Sequence, residues 1–265
     1  MVLVLVAVTF IAVVAMLFVP RIPQPLSYHA FVDDRTIWGI PNAWNVLSNL
    51  PFVLVGSLGL WCTRRNMPGE LPELRTLYRG FFAGVLLTGF GSGYYHLDPS
   101  NGTLVWDRLP MTIAFMAFFC CVVGEHVSLS ASRRLIWILL PIGIASVLYW
   151  HVSELRGSGD LRPYALVQFL PMLLIPLMLW LFPSRLSGVG YLWAAIGGYA
   201  LSKLAEALDQ QLFDWLGGSL SGHSIKHLLA AGGTLLVYLA LRGRRPVADT
   251  RPTGSHPLPR HPDSF

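Results

Sequence analysis

Five residues in this chain have types and spacings that could do chemistry together: Ser92, His96, Asp107, His223 and His227. In "GSGYYHLDPSNGTLVWD", Ser92 and His96 are four apart and share one face if the segment is helical. Asp107 opens the next apolar stretch after a short loop, which returns its carboxylate toward His96. In "SGHSIKHLLAAGG", His223 and His227 form H-x-x-x-H, so successive helical turns aim both imidazoles the same way. That spacing lets two ring nitrogens share one metal ion. Three histidines with an open fourth position make a catalytic zinc arrangement, and neutral imidazole suits zinc. The competing reading is unrelated interfacial histidines, with Lys226 turned to solvent or headgroups. Spacing and depth leave both readings open. A further cluster, "LSKLAEALDQQLFD", pairs Lys203 with Glu206 on one face and sets Asp209 and Asp214 toward the outer surface. Glu206 or Asp209 could orient a ligand histidine from behind, or simply form a neutralised pair and a solvated helix end. His126 and His151 lack partners at their own depth and read as interfacial. "NGT" at Asn101 matches a glycosylation acceptor, a motif common by chance.

The elements that must carry these groups are apolar. The chain has 265 residues, of which 54% are hydrophobic and 12% charged, and its mean hydropathy is +0.54. That composition excludes an ordinary soluble domain. Cys62, Cys120 and Cys121 lie in apolar surroundings without metal-type spacing and read as core residues. Eight stretches approach the ~20 residues a helix needs to cross a bilayer: 2–19, 44–62, 80–96, 108–125, 135–152, 163–182, 188–207 and 223–241. No alternating strand pattern supports a β-barrel. The expectation is an all-α integral membrane protein with a seven-transmembrane-helix core and an additional N-terminal hydrophobic helix. Residues 1–20 form a transmembrane segment or signal anchor, without the basic region or clear cleavage site of a removed signal. Residues 21–43 are an outer-side loop, 44–241 the core, and 242–265 a disordered cytoplasmic tail in which His256 and His261 have no role.

The net charge of +5 is concentrated in alternate loops, which reads as topology and not as nucleic-acid binding. Arg64, Arg65, Arg75, Arg79, Arg133, Arg134, Arg185, Arg242, Arg244 and Arg245 all fall on one side, assigned to the cytoplasm. Ser92, His96, Asp107, His223 and His227 then lie toward the opposite, outer side. Seventeen Arg against two Lys suggest a GC-rich bacterial genome and an inner membrane, with the site on the periplasmic face.

S-x-x-x-H at Ser92 and His96, Asp107 eleven residues later, and H-x-x-x-H at His223 and His227 together resemble the alkaline ceramidase family. That family belongs to a group of seven-helix membrane hydrolases that includes the progestin and adiponectin receptors. "PNAWNVLSNLPF", residues 41–52, is also similar to the segment that opens the first core helix of the family. The resemblance covers about 28–241. It implies a seven-helix core with zinc held by His96, His223 and His227, and sphingolipid metabolism as the setting. It also implies a calcium site, and here the chain departs: Asn42 stands where the family has a Glu. Asp33 and Asp34 still offer hard oxygen ligands, so a weakened calcium site is left open and is not the favoured reading.

The chemistry and the resemblance point to amide hydrolysis of an N-acyl lipid such as ceramide that arrives from the bilayer. Asp107 would move the proton and Ser92 would help hold the oxyanion. The alternative is a receptor-like or structural membrane protein with a non-catalytic zinc site. Two of the three histidines lie a turn apart on one stretch, which suits a small ion better than haem. Their place near one interface argues against a transporter. Oligomeric state is left open.

Overall fold

The computed structural model describes residues 1–247, which form ten α-helices with short connections. They are α1 (Val2–Phe18), α2 (Ala43–Leu47), α3 (Leu50–Cys62), α4 (Arg75–Leu97), α5 (Asn101–His126), α6 (Leu129–Leu155), α7 (Arg162–Leu181), α8 (Gly190–Ala207), α9 (Asp209–Trp215) and α10 (Gly222–Gly243). Serine hydroxyls start three of them by accepting otherwise orphaned N–H groups. The Ser100 hydroxyl accepts from the Thr103 N–H at 3.2 Å, and the Thr103 hydroxyl accepts from the Ser100 N–H at 3.0 Å, closing a capping box. Ser128 caps α6 through the Ala131 N–H at 3.3 Å, and Ser221 caps α10 through the Ser224 N–H at 3.2 Å.

Five segments are long and apolar enough to cross a membrane: 43–62 (α2 with α3), α5, α6, α7 and α10. This is a multi-pass, all-α membrane protein, and the expected seven-span core is corrected to five candidate spans. The reason lies in composition. Arg75, Arg79 and a run of glycines dilute α4, while Lys203 and Glu206 do the same for α8. The additional N-terminal helix, α1, has 17 residues, none of them buried, and packs beside α7.

Boundaries also move. The stretch expected at 44–62 breaks before Pro51, which is tolerated in the first turn of α3. α5 begins at Asn101, so Asp107 lies in its second turn and does not open it. α9 is a separate short helix that apolar periodicity did not predict. The first residues of the expected tail are ordered: α10 runs to Gly243, and Arg244 is 1% exposed. Arg244 reaches Glu125 of α5 at 2.7 Å, and the Tyr78 hydroxyl donates to the same carboxylate at 2.7 Å. A buried charge is tolerated only with such partners. Residues 248–265, including His256 and His261, lie outside the described residues.

Helix α4 packs on α5 and α3, and α8 on α10. The α4–α5 contact is close because Gly91 has no side chain: a Cβ there would stand 1.9 Å from the Trp106 carbonyl oxygen. Residues 92 and 107, each one step beyond that contact, are thereby brought together. The segment between α1 and α2 is stitched onto the helix ends. The Gln24 N–H donates to Glu154 at 2.7 Å, and Arg108 donates to the Gln24 side-chain oxygen at 2.6 Å. Nearby, Arg162 donates to Asp160 at 2.8 Å and to the Val19 carbonyl at 2.7 Å. The Arg162 guanidinium holds the Asp160 carboxyl down at about 2, so that clamp is fully present above the ordinary carboxylate range and weakens as pH falls toward 2.

Candidate metal centre

His96 is the next-to-last residue of α4, and His223 and His227 occupy the first two turns of α10. A carboxylate fixes the start of α10: Asp209 accepts the His223 backbone N–H at 2.7 Å. Gly222 makes this approach possible, since a Cβ there would stand 2.7 Å from the Asp209 Cα. The three imidazoles form a nearly equilateral triangle, with centroids 5.0 Å (His96–His223), 4.9 Å (His96–His227) and 5.0 Å (His223–His227) apart. Each ring offers a nitrogen within 4.8 Å of the others, and the residues are 1%, 6% and 5% exposed.

Burying three imidazoles edge to edge is unfavourable unless their nitrogens find partners. The His96 Nδ1 is buried and has no hydrogen-bond partner. His227 Nδ1 lies 2.8 Å from the Ser48 hydroxyl, which itself donates to the Asn45 carbonyl at 3.2 Å. Ser48 therefore accepts from His227 Nδ1–H, which leaves the lone pair of Nε2 for a cation. The unpartnered nitrogen of His96 and an all-imidazole donor set fit a zinc-type ion. Ser48→Ala should weaken metal binding roughly 10–100-fold, measured by competition with a chromogenic zinc chelator.

The structure brings the expected partners together. Ser92, Asp107 and His227 line one cavity of about 100 Å³, whose wall also includes Glu206 and Lys226. Ser92 and Asp107 share that wall. Glu206 and Asp209 act on α10 and not on an imidazole ring. Glu206 accepts from Lys203 at 2.8 Å and from Lys226 at 2.9 Å, whereas Asp209 holds backbone. Lys226 does not face headgroups, because its ammonium points inward, 3.0 Å from His223 Nε2.

Phe31, Ser48 and His29 were not singled out from the sequence. The Phe31 ring lies 4.7 Å from His96 and 4.8 Å from His223, closing one side of the triangle. His29 bonds the Tyr95 hydroxyl and the Asn101 side chain, both at 2.9 Å. Ser48 lay within the quoted 41–52 segment, but nothing in its spacing pointed to His227.

The residues expected to hold calcium stand differently. Both oxygens of Asp33 are bound by Arg35 at 2.7 Å. Asp34 is exposed, and Asn42, in the left-handed region at φ 48°, donates its amide to the His96 carbonyl at 2.9 Å. This donor set does not fit a calcium ion, which takes six to eight free oxygen ligands.

No curated protein matches the chain. The family model for ceramidases matches residues 37–176, a span that takes in Ser92, His96 and Asp107 and ends before His223 and His227. With more than half its length matched and a buried three-histidine cluster closing the site beyond the match, the chain belongs to the ceramidase family and has the site of a zinc-dependent amide hydrolase.

Proposed function

We propose that this protein hydrolyses the amide bond of an N-acyl lipid, with ceramide as the specific substrate, using zinc held by His96, His223 and His227. The observation that carries the reading is the meeting of two cavities beside the histidine triangle. The polar one contains Ser92, Asp107 and His227. The other, about 120 Å³, is walled by apolar side chains such as Phe81, Val85 and Phe118. They share Phe52, Thr88, Met111, Tyr199 and Ala230. An amphipathic substrate with its acyl chain in one and its amide and headgroup in the other matches this division.

His96, His223 and His227 would hold the zinc, which would supply Lewis acidity toward the scissile carbonyl and bring the pKa of a water to about 7. Asp107 takes a proton from the attacking water and returns it to the amine nitrogen as the C–N bond breaks. The products are a fatty acid and a free amine. Ser92, beside Asp107 in the cavity wall, turns its O–H onto the carbonyl oxygen as negative charge develops there. Glu206 offsets the ammonium charges of Lys203 and Lys226, which would otherwise repel a dication. Arginine-rich loops at the helix ends opposite His96 support a site on the outer side of a bacterial inner membrane, with α10 ending in the cytoplasm.

The test is metal analysis of the purified full chain, paired with hydrolysis of a panel of N-acyl and ester lipids in mixed micelles. One equivalent of zinc and release of fatty acid from ceramide are expected. Zinc without turnover on any lipid would favour a non-catalytic metal site. Absence of both would remove the proposal.

A further inference from the structure

The segment that closes over the histidines is held down by a cation of the chain's own. Asp33 is 1% exposed, and a carboxylate so placed needs positive charge close by. Arg35 supplies it in fork geometry, Nε to Oδ1 and Nη2 to Oδ2, both at 2.7 Å. The same guanidinium reaches across to the turn before α10. Its Nη2 donates to the Ser219 carbonyl at 2.9 Å, and its carbon lies 5.4 Å from the Phe213 ring centroid of α9. The backbone of Asp33 extends the link: its carbonyl accepts from the Asn45 amide at 3.0 Å, and Asn45 Oδ1 accepts from the Ser224 hydroxyl at 2.8 Å. Ser224 follows His223 on α10. The ion pair therefore ties the 31–42 segment to α9 and the turn before α10, while the Asp33 backbone, through Asn45, ties it to α2 and the first turn of α10. That segment carries Phe31 onto His96 and His223, and Asn42 onto the His96 carbonyl.

We propose that Arg35 does in this chain the work the family resemblance assigns to calcium, so that hydrolysis at the three-histidine site proceeds without calcium and Arg35 is a positioning residue. The physical basis is occupancy. A guanidinium fork matches a carboxylate edge to edge and uses the lone pairs a hard cation would need. Unlike an exchangeable ion, it is always charged and covalently present, so the clamp does not respond to calcium concentration. The proposal rests on the hydrolytic reading of the site for its activity arm, and on the fold alone for its thermal arm.

The experiment compares the full chain in excess EGTA and in excess calcium chloride, by thermal unfolding in detergent and by ceramide turnover. Wild type should give the same melting temperature and the same rate in both. Arg35→Gln should keep its zinc and lose roughly 10–100-fold in rate, the loss falling on kcat and not on KM, with partial rescue in Arg35→Lys. A wild-type melting temperature or rate that rises with calcium overturns the proposal, as does an Arg35→Gln protein that turns over like wild type in EGTA. If no lipid is hydrolysed under any condition, the hydrolytic reading fails, while the wild-type melting comparison still decides the clamp and needs no variant to fold.

Discussion

His227→Ala should lose the bound metal and reduce turnover to background. The effect should exceed the roughly 10–100-fold typical of losing a supporting hydrogen bond such as that from Ser48, because a ligand itself is removed. Two neighbouring imidazoles, His96 and His223, would remain as a pair on different helices, and a pair leaves the ion with one more open position and less charge donation. Activity alone would not distinguish this from misfolding, so the check is metal content together with thermal unfolding. An ion that binds only the folded state stabilises by about 2.7 kcal/mol at a hundredfold excess over its dissociation constant. Chelation should therefore lower the melting temperature of wild type and leave that of His227→Ala unchanged. A variant that keeps one equivalent of zinc would remove His227 from the ligand set.

Asp107→Asn should separate chemistry from metal binding. The carboxylate lines the cavity with Ser92 and His227 but is not one of the three clustered donors. The amide keeps its size and cannot take up a proton, so zinc content and melting temperature should stay near wild type. The rate should fall about 10²–10⁴-fold, the usual contribution of a positioned general base. Measured at saturating substrate, the loss belongs in kcat, since proton transfer and not lipid binding is impaired. Retained turnover in Asp107→Asn would assign the proton to another group, and loss of zinc would make Asp107 a ligand.

The two experiments draw on parts of the site that differed in how far the sequence revealed them. The H-x-x-x-H pair was legible because a 3.6-residue repeat decides by itself that His223 and His227 share a face. Ser92 and His96 were legible for the same reason. The span count was less secure. Length and a few polar residues separate α1, α4 and α8 from the five apolar segments, a difference that the apolar core of each stretch does not reveal. The inward turn of Lys226 was also hidden, since i,i+3 spacing pairs Lys203 with Glu206 and does not show that the same carboxylate receives a second ammonium from α10.

By itself, then, the sequence determined an apolar all-helical chain, the side on which its arginines gather, and which titratable groups share a helical face. Each of these is a property of neighbours along the chain, set by transfer free energy and backbone periodicity. Tertiary structure alone decided that α4 and α10 meet, that Ser48 orients His227 from 179 positions away, that Phe31 covers the triangle, and that Arg35 reaches the Ser219 carbonyl ahead of α10. These are contacts between distant segments. They depend on how closely two helices can approach, as at Gly91 and Gly222, and on buried charges finding partners in three dimensions, which no spacing rule encodes.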